Sequence, residues 1–119
     1  MREENGYEHV QGAVEKLSKN HKKHIELYGI GNDKRLHGGH ETCHIDTFRA
    51  GVGDRSASVR IPNTTKSQEK GYFEDRRPAS NIDPYIVSSI LCSTTLLDGK
   101  GYDEIRKHYD SWISEYEDL

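Results

Sequence analysis

Residues 71–84 read Gly-Tyr-Phe-Glu-Asp-Arg-Arg-Pro-Ala-Ser-Asn-Ile-Asp-Pro and set the carboxylates of Glu74 and Asp75 against the guanidiniums of Arg76 and Arg77. A guanidinium is a planar fork of N–H donors that matches a carboxylate or phosphate in bidentate fashion, so adjacent arginines suit an anionic ligand. A neighbouring carboxylate suits a hard divalent cation such as magnesium, which takes oxygen ligands and often bridges to nucleotide phosphates. The same composition also describes a solvated loop laced with Glu–Arg and Asp–Arg surface pairs, each of small worth. Arg35, Arg55 and Arg60 lie upstream on short glycine-flanked segments. With Arg76 and Arg77 they form a candidate anion clamp, provided that the fold makes them converge.

A second motif is His40-Glu41-Thr42-Cys43-His44, which matches the HExxH pattern of zinc hydrolases. That chemistry needs both imidazoles on one helix face, a turn apart, with the glutamate as general base. Gly38 and Gly39 precede it and Gly51 follows shortly after, a context that favours an extended or loop segment in which the rings do not converge. The plainer reading is a glycine-hinged loop carrying polar residues.

Three kinds of element must position these residues. Val10, Ala13, Val14, Leu17, Ile25 and Tyr28 recur at helical spacing, predicting an amphipathic helix over 7–28 that ends at Gly29 to Gly31. Lys19 to Lys23 reads as its solvated face. Ala57-Ser-Val-Arg-Ile61 alternates as a strand does, with Val59 and Ile61 on one face and Ser58 and Arg60 on the other. Tyr72–Arg76 is a shorter strand candidate, and the polar stretch 63–70 between the two reads as a mobile loop. Asp83-Pro84 then starts a second helix, with Asp as N-cap and Pro at the first helical position. Ile86, Val87, Ile90, Leu91 and Leu97 make that helix the most buried element, and Gly99 to Gly101 breaks it. Tyr102, Ile105, Tyr109, Trp112, Ile113 and Tyr116 predict a last amphipathic helix with an acidic end.

The totals narrow the function classes. The 119 residues amount to one domain or part of one. Hydrophobic residues are 32% and charged residues 31%, a thin core for a globular chain and one suited to leaning on something larger. A net charge of −3 lacks the basic excess of a general nucleic-acid surface. Cys43 and Cys92 are far apart and make no CxxC unit, which fits a reduced, cytoplasmic setting without a disulfide framework. No apolar run is long enough to span a membrane, and the N-terminal residues lack the apolar core of a secretory signal.

Taken in order, Arg35-Leu-His-Gly-Gly-His-Glu-Thr42, Gly51-Val-Gly-Asp-Arg-Ser-Ala-Ser-Val-Arg-Ile-Pro62 and the 71–84 block resemble consecutive blocks of eukaryotic-type glutamine synthetase. Ala13-Val-Glu-Lys-Leu-Ser-Lys19 is similar to the helix preceding them. The resemblance runs over residues 1–97 and leaves 98–119 as an amphipathic helical tail. It implies an α+β fold, part of the synthetase catalytic domain, with antiparallel strands packed with helices. It also implies a ligase that uses ATP and Mg2+ (or Mn2+) to join ammonia to glutamate, in nitrogen metabolism.

Residue by residue, the resemblance gives Arg55, Arg60, Tyr72, Phe73 and Glu74 to the ATP site and makes Glu74 a metal ligand. Arg35 and Arg76 would hold the glutamate substrate, with Arg76 also acting on the transferring phosphoryl group. Glu41 would be the catalytic residue of a flap that closes over the site and takes a proton as ammonia adds. The sequence departs from the family at His37, Gly39, Gly53 and Asp54. Asp54 is expected to offset part of the charge of Arg55, and Gly39 to loosen the flap. The family's other metal-binding residues and its N-terminal domain are expected to lie outside this chain. Its partners would then be other subunits, as a homo-oligomer or by association with full-length ones. Two expectations follow: a truncated ligase inactive by itself, or a non-catalytic paralogue that binds full-length synthetase subunits.

Overall fold

The computed structural model of the chain describes residues 1–29, 36, 44–79 and 81–117. The single helix expected over 7–28 is divided into α1 (Gly6–Lys19) and α2 (His21–Ile25). Asn20 makes the break, because its side-chain amide donates back to the Lys16 carbonyl at 2.8 Å and its own N–H to Leu17 at 3.2 Å. Local side-chain bonds of this kind compete with the helical ladder. Val10, Ala13 and Leu17 are buried along one stripe of α1, the spacing that the sequence predicts.

Three short strands follow: β1 (Ala50–Val52), β2 (Val59–Ile61) and β3 (Glu74–Asp75). They form one mixed sheet in the order β1-β2-β3, with β1 parallel to β2 and β2 antiparallel to β3. The parallel pair departs from the antiparallel expectation. Parallel strands ordinarily need a crossover of a dozen residues or more, yet residues 53–58 suffice here. A three-residue strand rises only about 10 Å, which a six-residue loop spans easily. Gly53 turns the chain at φ +63, and a β-carbon there would lie 2.8 Å from Asn63 Oδ1. The predicted strand faces are half right: Val59 and Ile61 are buried and Arg60 is half-exposed, but Ser58 is also buried. Its hydroxyl accepts from the Arg49 N–H and donates to the Thr47 carbonyl, each at 3.1 Å.

The stretch expected as a mobile loop is instead the short helix α3 (Asn63–Gln68), ended by Glu69 in the left-handed region at φ 59. Buried Thr65 explains the order. Its hydroxyl donates to the Tyr72 carbonyl at 2.9 Å and accepts the Tyr72 N–H at 3.3 Å, fastening α3 to the approach to β3.

Helix α4 (Pro84–Leu96) starts as predicted, with Asp83 Oδ1 accepting the Tyr85 N–H at 2.9 Å and Pro84 at the first position. Ile86, Val87 and Ile90 are buried and Leu91 is partly so, whereas Leu97 is exposed. Helix α5 (Tyr102–Glu117) packs along α4. Tyr109 is buried there, and Tyr102, Ile105, Trp112 and Ile113 lie against a core of Leu27, Tyr28, Ile86, Val87 and Ile90. Five helices around a small mixed sheet thus enclose one main apolar cluster among the described residues.

Candidate anion-binding site

Pairing of β2 with β3 sets Arg60 directly opposite Glu74 and Val59 opposite Asp75. Opposed residues share a sheet face and successive residues alternate. Arg60 and Glu74 therefore lie on the outer face, their side chains 3.9 Å apart and 29% and 39% exposed. Val59 and Asp75 turn inward. Gly51, the β1 partner of Arg60, carries no side chain, and the Asp54 carboxylate lies over it: a β-carbon on Gly51 would meet Asp54 Oδ2 at 2.9 Å. Arg76 continues the alternation to the outer side, its N–H donating to the Ser58 carbonyl at 2.9 Å.

This face is charged and one of its donors is underused. Arg60 Nε is buried and has no hydrogen-bond partner among the described residues, and its link to Glu74 is long for a charge-assisted bond. The Arg60 side chain is nonetheless 29% exposed, so part of it remains open to an anion. Asp54 is less of a counterweight to Arg55 than its position in sequence implies. Its carboxylate accepts from the Ser56 hydroxyl at 2.6 Å and the Ser56 N–H at 2.9 Å, and lies 3.5 Å from Arg49. These bonds, with the charges of Arg49 and Arg76, hold its pKa below the usual carboxylate value.

The other expected residues are distributed as follows. Arg55 is exposed in the 53–58 turn, Tyr72 is exposed and Phe73 half-buried just before β3. Arg35, Glu41 and the HExxH residues His40 to Cys43 lie outside the described residues, while His44 is exposed, 3.8 Å from the Asp46 carboxylate. Among the described residues no three His, Cys, Asp or Glu side chains group as a metal site. Glu74 therefore offers a single carboxylate, which does not by itself make a magnesium site. Arg60 suits a phosphate or carboxylate; the described donor set does not suit a self-sufficient metal centre.

Arg77 is a correction to the expected clamp. Its side chain is 1% exposed and forms a two-pronged pair with Asp75, Nε to Oδ1 at 2.8 Å and Nη2 to Oδ2 at 2.9 Å. The guanidinium lies 5.2 Å from the ring centres of both Tyr28 and Phe48, a separation at which a cation is drawn to an aromatic face. A fully committed, buried arginine is not available to a ligand.

Around that pair runs a buried chain of hydrogen bonds that the motif reading did not foresee. Tyr28 donates its hydroxyl to Asp75 Oδ2 at 2.7 Å, so the Tyr28 oxygen accepts from His24 Nδ1 at 2.6 Å. His24 Nε2 is then left to accept from the Thr94 hydroxyl at 2.7 Å. On the other side, Arg77 Nη1 donates to His21 Nδ1 at 2.8 Å and His21 Nε2 donates to the Ile45 carbonyl at 2.7 Å. Both imidazoles are held neutral, chiefly by burial, and His24 falls to about 3. Burial by itself would raise the pKa of Asp75, but the bonds and charge of Arg77, with Tyr28, leave it lowered. His21 belongs to this interior network and not to a solvated face. One signal was visible: His21, His24 and Tyr28 recur at i, i+3 and i+7, which aligns them on one side.

The chain matches no family profile. It is 58% identical over 97 residues to glutamine synthetase PR-2 of Phaseolus vulgaris. It is 57% identical over the same length to both glutamine synthetase cytosolic isozyme 1 of Glycine max and cytosolic isozyme 1-1 of Arabidopsis thaliana. Each match covers 82% of this chain and 27% of the relative. The chain thus spans about a quarter of the length of the curated relatives it matches. No helix among the described residues is long and apolar enough to cross a membrane.

Proposed function

We propose that this chain, a partial relative of the plant glutamine synthetases, forms one wall of a glutamate–ammonia ligase site and does not complete the reaction alone. The observation that carries this reading is the outer face of the sheet. Arg60 and Glu74 stand part-exposed and 3.9 Å apart there, the Arg60 Nε without a hydrogen-bond partner among the described residues and Arg76 on the same side, and these positions lie within the blocks that resemble the family. Arg55 and Arg60 would neutralise ATP phosphates, with Tyr72 and Phe73 beside the nucleotide. Arg35 and Arg76 would hold glutamate, and Glu41 would take the proton released as ammonia adds. Divalent metal would supply phosphate charge neutralisation, with Glu74 one of its ligands; the remaining ligands would come from outside the described residues. The matched stretch is taken as residues 1–97, the setting as cytosolic like that named for two relatives, and the working form as an assembly of subunits.

The test is a γ-glutamyl transfer assay with manganese and nucleotide on the purified 119-residue chain. No turnover is expected; turnover abolished by Glu74→Ala would overturn inactivity of the chain alone. ATP binding should survive in part and weaken about tenfold in Arg60→Ala, the loss of about 1.4 kcal/mol expected for one charge-assisted bond.

A second reading, a non-catalytic partner of full-length synthetase subunits, is favoured by the outer side of α4. Residues 84–97 contain no charge, and Tyr85, Leu96 and Leu97 are 83%, 70% and 51% exposed. Large apolar side chains exposed together on an uncharged helix are ordinarily covered. Pull-down with intact synthetase should recover the chain, and Tyr85→Lys/Leu96→Lys should abolish recovery.

A further inference from the structure

We propose that the buried Asp75–Arg77 pair is the positioning element of the anion-binding face: it holds Glu74 and Arg76 in register on the outer side of the sheet. This rests on the reading of that face as a phosphate and substrate wall. Residues 74–77 alternate, so that 74 and 76 point outward while 75 and 77 point inward. β3 is only two residues long and pairs with β2 along one edge. So short a strand has little ladder of its own, and a slip by one residue would send Glu74 and Arg76 inward.

What opposes the slip is the inner side. Asp75 is gripped by both prongs of Arg77, by the Arg77 backbone N–H at 3.1 Å and by Tyr28. Arg77 is in turn tied to His21 and flanked by the Tyr28 and Phe48 rings. Four separate segments, α2, Tyr28, Phe48 and residues 74–77, therefore meet on one ion pair. A planar fork fixes direction as well as distance, which an ammonium does not. Removing it leaves the charge but frees β3 to shift, and Glu74 and Arg76 move with it. Asp75 and Arg77 touch no ligand in this scheme and act only through their neighbours.

The experiment compares Arg77→Lys with Thr94→Val in the full chain. Thr94 belongs to the same network but sits at its far end on α4, so its loss destabilises the fold without releasing β3. Two quantities are read at a temperature where both variants remain folded: affinity for ATP, and hydrogen exchange of the Arg76 amide, which reports its bond to Ser58. The expected result is ATP binding weakened about tenfold and Arg76 exchange accelerated in Arg77→Lys, with both unchanged in Thr94→Val. Equal behaviour of the two variants, tracking only their melting temperatures, would overturn the proposal. Should Arg77→Lys fail to fold, Asp75→Asn, which keeps the shape and removes the charge, takes its place with the same outcomes. Should the unmodified chain bind no ATP, the wall reading fails, and the exchange of Arg76 alone decides whether the pair positions β3.

Discussion

His24 shows how burial converts an ordinary residue into a condition on folding. In the folded protein its pKa drops to about 3, first because burial disfavours the imidazolium and then because Arg77 and His21 repel it. In the unfolded chain it returns to 6.5. Between those values the unfolded state binds the extra proton, so stability is complete above the unfolded value and falls as pH drops below it. From neutral pH to about pH 5 the loss from this group is about 2 kcal/mol, and His21, also lowered by burial, adds in the same direction. Urea denaturation at the two pH values measures it, and His24→Gln should flatten the dependence. Tyr28→Phe tests the adjoining link. It removes a hydroxyl that both accepts from His24 and donates to Asp75, at an expected cost of about 1–3 kcal/mol at neutral pH.

At the scale of elements, two glycines make opposite predictions from the same substitution. Gly12 lies inside α1 with open space around a would-be β-carbon. Gly12→Ala should therefore stabilise by about 0.5–1 kcal/mol through helix propensity and a less free unfolded chain. Gly53 turns the chain at φ +63 with Asn63 Oδ1 2.8 Å from the β-carbon position, so Gly53→Ala should destabilise by more than about 1 kcal/mol. Thermal melts of the two variants should shift in opposite directions. Asp83→Ala should cost about 1 kcal/mol, because it removes the acceptor for the Tyr85 N–H at the head of α4. The helix starts were legible because caps and prolines act locally. Asn20 was a local signal as well, but its bond back to Lys16 competes with an otherwise unbroken apolar periodicity, and periodicity alone reads straight through it.

The molecule as a whole is thin. Its extents are 48 × 33 × 20 Å and its radius of gyration is 14.7 Å, against about 13.5 Å for a self-contained domain of this length. That flattening agrees with the modest apolar content and with a chain matching a quarter of its relatives' length. The principal cluster is built by joining α2 and Tyr28 to α4 and α5. Removing residues 98–119 would uncover Ile86, Val87 and Ile90, and the truncated chain should lose its cooperative urea transition, as followed by far-ultraviolet circular dichroism.

Residue type, spacing and order determined by themselves that guanidiniums and carboxylates stand together and which blocks the chain resembles, because that chemistry belongs to the side chains wherever they stand. Periodicity likewise placed α1, β2, α4 and α5, since each buries a stripe that shows in the sequence. Residue type and spacing could not separate Arg76 from Arg77, two identical side chains one position apart, and the resemblance singled out Arg76 without a physical reason. The tertiary structure separates them by strand alternation and by what meets Arg77 on the inner side: Asp75, Tyr28, Phe48 and His21. The first arginine stays on the outer side of the sheet, and the second is consumed in the buried pair with Asp75.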